Sequence, residues 1–94
     1  MNIGVLQFSV RLPESHSLKE KRQVIKSLVA QLHNRFSVSA AEVEDQDLWQ
    51  SAVVGVAYVS NDKKHTNEVL SKALAFATTY DLELVESDIE IIDY

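Results

Sequence analysis

Ninety-four residues, 46% of them apolar and 24% charged, with two glycines, one proline and no cysteine, describe one folded domain that must rest on apolar packing. The missing cysteine excludes disulfides, thiolate metal sites and thiol nucleophiles. The net charge of −5 is uneven, +4 from Met1 to Ala41 and −9 from Glu42 to Tyr94; such a chain either shows a basic face to a polyanion or neutralises its halves within the fold or across a dimer.

Leu6, Phe8, Val10 and Leu12 alternate with Gln7, Ser9 and Arg11, the period of a strand with one buried face, and Pro13 ends it. No basic leader precedes this strand, and no apolar run approaches the roughly 20 residues needed to cross a bilayer, so a cytoplasmic location without a membrane partner is expected. Ser17 and Glu20 have the spacing of a capping box. They predict a helix whose apolar stripe is Leu18, Val24, Ile25, Leu28, Val29 and Leu32, with Lys19, Lys21, Arg22 and Lys26 mostly off it and an end near Asn34.

Phe36 to Val43 alternates small and branched residues and predicts a second strand, interrupted by Glu44 to Gln50. Ala52 to Val59 is apolar on both faces, as in a central strand covered on two sides. Ser60-Asn61-Asp62 supplies turn and cap chemistry for a second helix, striped by Val69, Leu70, Ala73, Leu74 and Ala77, up to about Thr79. Leu82 to Ile92 is the last strand, with Val85, Ile89 and Ile91 expected on one face.

The order β-α-β-β-α-β predicts a single α+β domain over residues 1–94, a ferredoxin-like sandwich. Its right-handed crossovers set both helices on one face of a four-stranded antiparallel sheet. The other face stays open, and the third strand presents apolar side chains there in either register. Apolar faces of this size are seldom left wet, so a homodimer is expected.

Two stretches, Ser17-Leu18-Lys19-Glu20-Lys21-Arg22 and Phe36 to Val43 running on to Gln46-Asp47-Leu48-Trp49-Gln50, followed by Val54-Gly55-Val56-Ala57, resemble the signature of the YlxP-like family, domain of unknown function 503. The resemblance spans nearly the whole chain. Ser37 and Ala41 stand where the family more usually has Asn and another small or branched residue. The resemblance implies a ferredoxin-like fold and no established biochemical activity; family members are often encoded among translation and ribosome-maturation genes.

Lys19, Lys21, Arg22 and Lys26 are the candidate nucleic-acid-binding residues, because Lys19, Arg22 and Lys26 lie three and four apart on one side of the helix. Basic residues in a first turn oppose the helix dipole by a few tenths of a kcal/mol. The competing reading is a solvated helix face. The acidic run Glu42 to Asp47 has oxygen donors for a hard cation but lacks the glycine and terminal glutamate of an EF-hand; a polar turn is the commoner use, and no metal or cofactor is expected. Trp49 is either an exposed anchor or a lid on the end of the core. With Glu42 and Asp47 it forms the candidate partner or ligand site. His16, His33 and His65 have no ligand-like spacing, so no catalytic residue is assigned.

The phosphate loop of an acylphosphatase is missing after the first strand, the third strand lacks the aromatic pattern of an RNA recognition motif, and Gly4 and Gly55 cannot build a Walker or dinucleotide loop. The expectation is therefore a non-enzymatic interaction module meeting RNA or a ribosome-associated partner, not DNA. The alternative is a small-molecule-binding regulatory or enzymatic subunit with its site at a dimer seam.

Overall fold

The computed structural model describes all residues, Met1 to Tyr94. The elements are β1 (Asn2–Arg11), α1 (Leu18–Phe36), β2 (Ser39–Glu44), β3 (Ser51–Ser60), α2 (Lys63–Ala77) and β4 (Glu83–Asp93). They form one antiparallel sheet in the order β2-β3-β1-β4, the ferredoxin-like arrangement expected.

Both helices pack on the sheet face that carries Leu6, Phe8 and Val10 of β1 and Ala52, Val54 and Val56 of β3. Ile25, Leu28 and Leu32 of α1 and Leu70, Ala73 and Ala77 of α2 complete the core. Each large aliphatic side chain so buried contributes about 1.5–3 kcal/mol. Leu12 follows the last strand residue, and its side chain closes the end of the core at 2% exposure. Between the helices, Phe76 is packed by Phe36 and Tyr80, with ring centroids 5.8 and 5.7 Å away, and Arg35 lies over its ring.

The capping signals act as the sequence implies. Ser17 Oγ accepts from Glu20 N at 3.1 Å, and Glu20 Oε2 accepts in return from His16 N at 2.7 Å. Asp62 Oδ1 accepts from Lys64 N and His65 N at the start of α2. At that same end Thr66 Oγ1, fully buried, donates to Asn2 Oδ1 at 2.7 Å and lies 2.6 Å from Ser60 Oγ. A knot of small polar groups thus ties β1, β3 and α2 together.

Two boundaries and one register differ from expectation. Helix α1 continues to Phe36, so β2 starts at Ser39 rather than Phe36. The stop is Ser37, in the left-handed region at φ 54° with its N–H on His33 O; the chain has no glycine there to announce it. In β4 the ladder slips opposite Ser9 and Val10. The slip separates Val85, which is 65% exposed, from Ile89 and Ile91, which are paired with Leu6 and Gly4 on the helix-covered face.

Candidate nucleic-acid interface

Helix α1 presents its charged residues in two directions. Lys21 stands four, seven and eleven residues before Ile25, Leu28 and Leu32, and so lies on the buried stripe. Its side chain has no exposed surface. Nζ donates to Glu42 Oε2 at 2.6 Å and Asp45 O at 2.7 Å, with Gln46 O and Ser51 O both at 3.3 Å. Glu42 is set for this pairing because it follows Ala40 by two on β2, and Ala40 and Glu42 oppose the core residues Val56 and Val54. A buried ammonium needs such a partner, since an unpaired charge in the interior is costly.

Lys21 is thereby removed from the nucleic-acid-binding set: a partner cannot reach it. The spacing that reveals this, a lysine in register with three core residues, was present in the sequence. Glu42 is likewise removed from the ligand set, because Lys21 occupies its carboxylate. No hollow in the surface brings Glu42, Asp47 and Trp49 together. Asp47 projects into solvent with its side chain 97% exposed.

Lys19, Arg22 and Lys26 remain, all exposed on one flank of α1. Arg22 and Lys26 border a groove between α1 and the β2 edge that also shows Val29, Ala30 and part of Glu42. The charge restraining this row is slight, since Arg22 meets Asp47 only at 4.0 Å and both side chains are open to water.

The clamp around Lys21 also shapes the β2–β3 loop. Three of the carbonyls it binds belong to residues at the loop's two ends, Asp45 takes φ 64°, and Leu48 N closes a turn onto Asp45 O. Gln50 is tied to the β1–α1 connection, its carbonyl accepting from Leu12 N and its side-chain amide donating to Ser15 O. With its base held inside, the loop turns its apolar tip outward. Trp49 is 46% and Leu48 51% exposed, outside the core. Trp49 is therefore an exposed residue on the loop beside the first turns of α1, and not a lid on the core.

The histidines stand apart. His33 Nδ1 lies 2.9 Å from Val38 O, His65 Nε2 lies 3.2 Å from Tyr58 Oη, and His16 is on the cap of α1. No three His, Asp or Glu side chains converge as a metal would require, and no helix is long and apolar enough to cross a membrane.

A family model described as "Protein of unknown function (DUF503)" matches residues 3–89. The chain is 36% identical over 78 residues to "Uncharacterized protein YlxP" of Bacillus subtilis (strain 168), a match covering 83% of this chain and 85% of that one. Among solved structures it is similar to SnoaB, a cofactor-independent oxygenase from Streptomyces nogalater, with a TM-score of 0.51 over 100% of this chain and 94% of the other. At 13% identity that likeness shows the fold alone. With the family model running from β1 into β4 and a curated relative covered over most of its length, the chain belongs to the DUF503 family of proteins of unknown function.

Proposed function

We infer that the protein is a cytoplasmic, non-catalytic interaction module that binds single-stranded RNA along the outer flank of α1. What carries this reading is the exposed row Lys19, Arg22 and Lys26 beside the loop that holds Trp49 outward. Three cations one helical turn apart meet successive phosphates, and each contact releases condensed counterions. An exposed indole offers a stacking platform worth about 1–3 kcal/mol per base, whatever the base. The acidic row of β4 lies at the sheet edge opposite β2 and repels a polyanion there, while Asp47 beside Arg22 works against binding on this flank. The family's frequent place among translation genes agrees with an RNA partner.

Lys21 acts in this scheme from within, holding the loop that presents Trp49 without touching the ligand. The test is titration of a fluorescently labelled unstructured RNA oligomer into the wild type, into Trp49→Ala, and into a variant carrying Lys19→Glu, Arg22→Glu and Lys26→Glu. All four positions are exposed, and circular dichroism checks that each variant folds. Binding that is lost in the triple variant and weakened in Trp49→Ala is the expected result. Equal affinity in all three proteins, or none in the wild type, overturns the reading.

A further inference from the structure

No helix covers the face of the sheet turned away from α1 and α2, and its residues are exposed or half-buried except Val53, at 6% exposure. On β1 it carries Ile3, Val5 and Gln7, and on β3 Gly55, Ala57 and Val59, each alternating with a core residue. On β2, Val43 leans over Gly55. Between β1 and β2 the small residues of β3 leave a shallow hollow floored by Gly55 and Ala57 and walled by Val5, Ala41 and Val43. Along β4 this same face is acidic, since Glu86, Asp88 and Glu90 pair with Ser9, Gln7 and Val5. The face is therefore a ridge of β1 side chains beside a trough over β3, with the charges gathered at one margin.

We propose that this face binds a second copy of the chain, related by a twofold axis parallel to the strands and passing between β1 and β3. Val5 and Ala57 are direct cross-strand partners, and such an axis exchanges them. Val5 of each copy then enters the hollow over Ala57 of the other, so that ridge fills trough in both directions. A surface that carries both the projection and its own matching hollow suits an isologous contact.

The charges select the same axis. Turning the copies about an axis across the strands would stack the two acidic rows of β4 on one another. With the axis along the strands, each row lies above the partner's β2 edge, which carries a single carboxylate on this face, Glu44 opposite Val53, and is open to water. The size allows a contact at the small end of the range. The strands are 10, 6, 10 and 11 residues long in chain order; at about 4.8 Å spacing and about 3.3 Å per residue the whole face is about 600 Å², of which β1, β2 and β3 supply about 400 Å², against the roughly 800 Å² that each partner contributes to a standard stable interface. The helix layer is on the opposite side, so both α1 rows stay free.

Sedimentation equilibrium on the wild type and on Ala57→Lys tests the pairing. Ala57 is half-buried on the open face, where a lysine in an isolated chain extends into water, and melting by circular dichroism checks that the variant folds. The expected result is a dimer for the wild type and a dissociation constant raised about hundredfold or more in Ala57→Lys. A wild-type monomer at tens of micromolar overturns the proposal, as does a variant that dimerises unchanged.

The axis has its own test, independent of how Ala57→Lys folds. The chain has no native cysteine, so Val5→Cys protein can be mixed with Ala57→Cys protein and joined by a short bis-maleimide, which spans the gap of about 10 Å between facing sheets that a disulfide cannot. Cross-linked heterodimers in excess over either homodimer support the axis. Homodimers of Val5→Cys in excess overturn it.

Discussion

Lys21 Nζ and Glu42 Oε2 lie 2.6 Å apart across the α1–β2 contact, the lysine fully buried and the glutamate side chain 15% exposed. The remaining ammonium hydrogens go to backbone carbonyls at the two ends of one loop. Removing the cation leaves a carboxylate and these carbonyls unpaired together. Lys21→Met should therefore destabilise the domain by about 3 kcal/mol, lowering the melting temperature by more than 10 °C on the roughly 4–8 °C per kcal/mol of a domain this size. Lys26→Met, on the exposed flank, should stay within about 0.5 kcal/mol of wild type. Denaturant melts of the two variants check this; equal midpoints would refute the clamp.

The same pair shows what the sequence discloses and what it hides. The order of elements, both caps and the two-faced third strand were readable because each rests on local periodicity or on a side chain facing its own backbone. Lys21 was readable in principle, from its register with Ile25, Leu28 and Leu32, but residue type outweighed spacing and grouped it with its exposed neighbours. The partners of its ammonium lie 21 to 30 residues away, beyond any local pattern. The slip of β4 at Ser9 and Val10 and the outward turn of Trp49 likewise depend on contacts between distant segments.

Ser37 ends α1 at φ 54° and its side chain is exposed. A residue with a β-carbon pays about 1 kcal/mol in this region, and glycine does not. Ser37→Gly should raise stability by about 0.5–1 kcal/mol, with Ser37→Asn following in the same direction because Asn tolerates the left-handed region. Calorimetry on the three proteins checks the order; a lower melting point for Ser37→Gly would show that the cap carries another contact.

The two glycines should respond differently to the same substitution. A β-carbon at Gly4 would stand 2.7 Å from Leu70 Cδ1 and collide with Thr66 Cγ2, within the layer where α2 meets β1. Gly4→Ala should cost about 1–3 kcal/mol through overpacking. At Gly55 the nearest atom is 3.1 Å away, on Val43, a side chain 44% exposed that can give way, and Gly55→Ala should change stability by less than about 1 kcal/mol. Chemical denaturation of both variants decides, and equal losses would contradict the close approach of α2.

Thr66→Val keeps the shape of a fully buried side chain and removes the hydroxyl that serves Asn2 and Ser60. The loss should be about 1–3 kcal/mol, the cost of leaving Asn2 Oδ1 short of a donor. Hydrogen exchange should show it as faster opening at the N-terminal end of α2, with the helix α1 amides unaffected.

The most direct test of the functional account is the salt dependence of single-stranded RNA binding. Three phosphate contacts made by Lys19, Arg22 and Lys26 give a slope of about −2 in log K against log salt, so affinity should fall about fifteenfold between 50 and 200 mM salt. Charge reversal at Arg22 should flatten the slope by nearly one contact. Binding whose affinity ignores both salt and Arg22, or a wild-type protein that does not bind RNA at low salt, would contradict it.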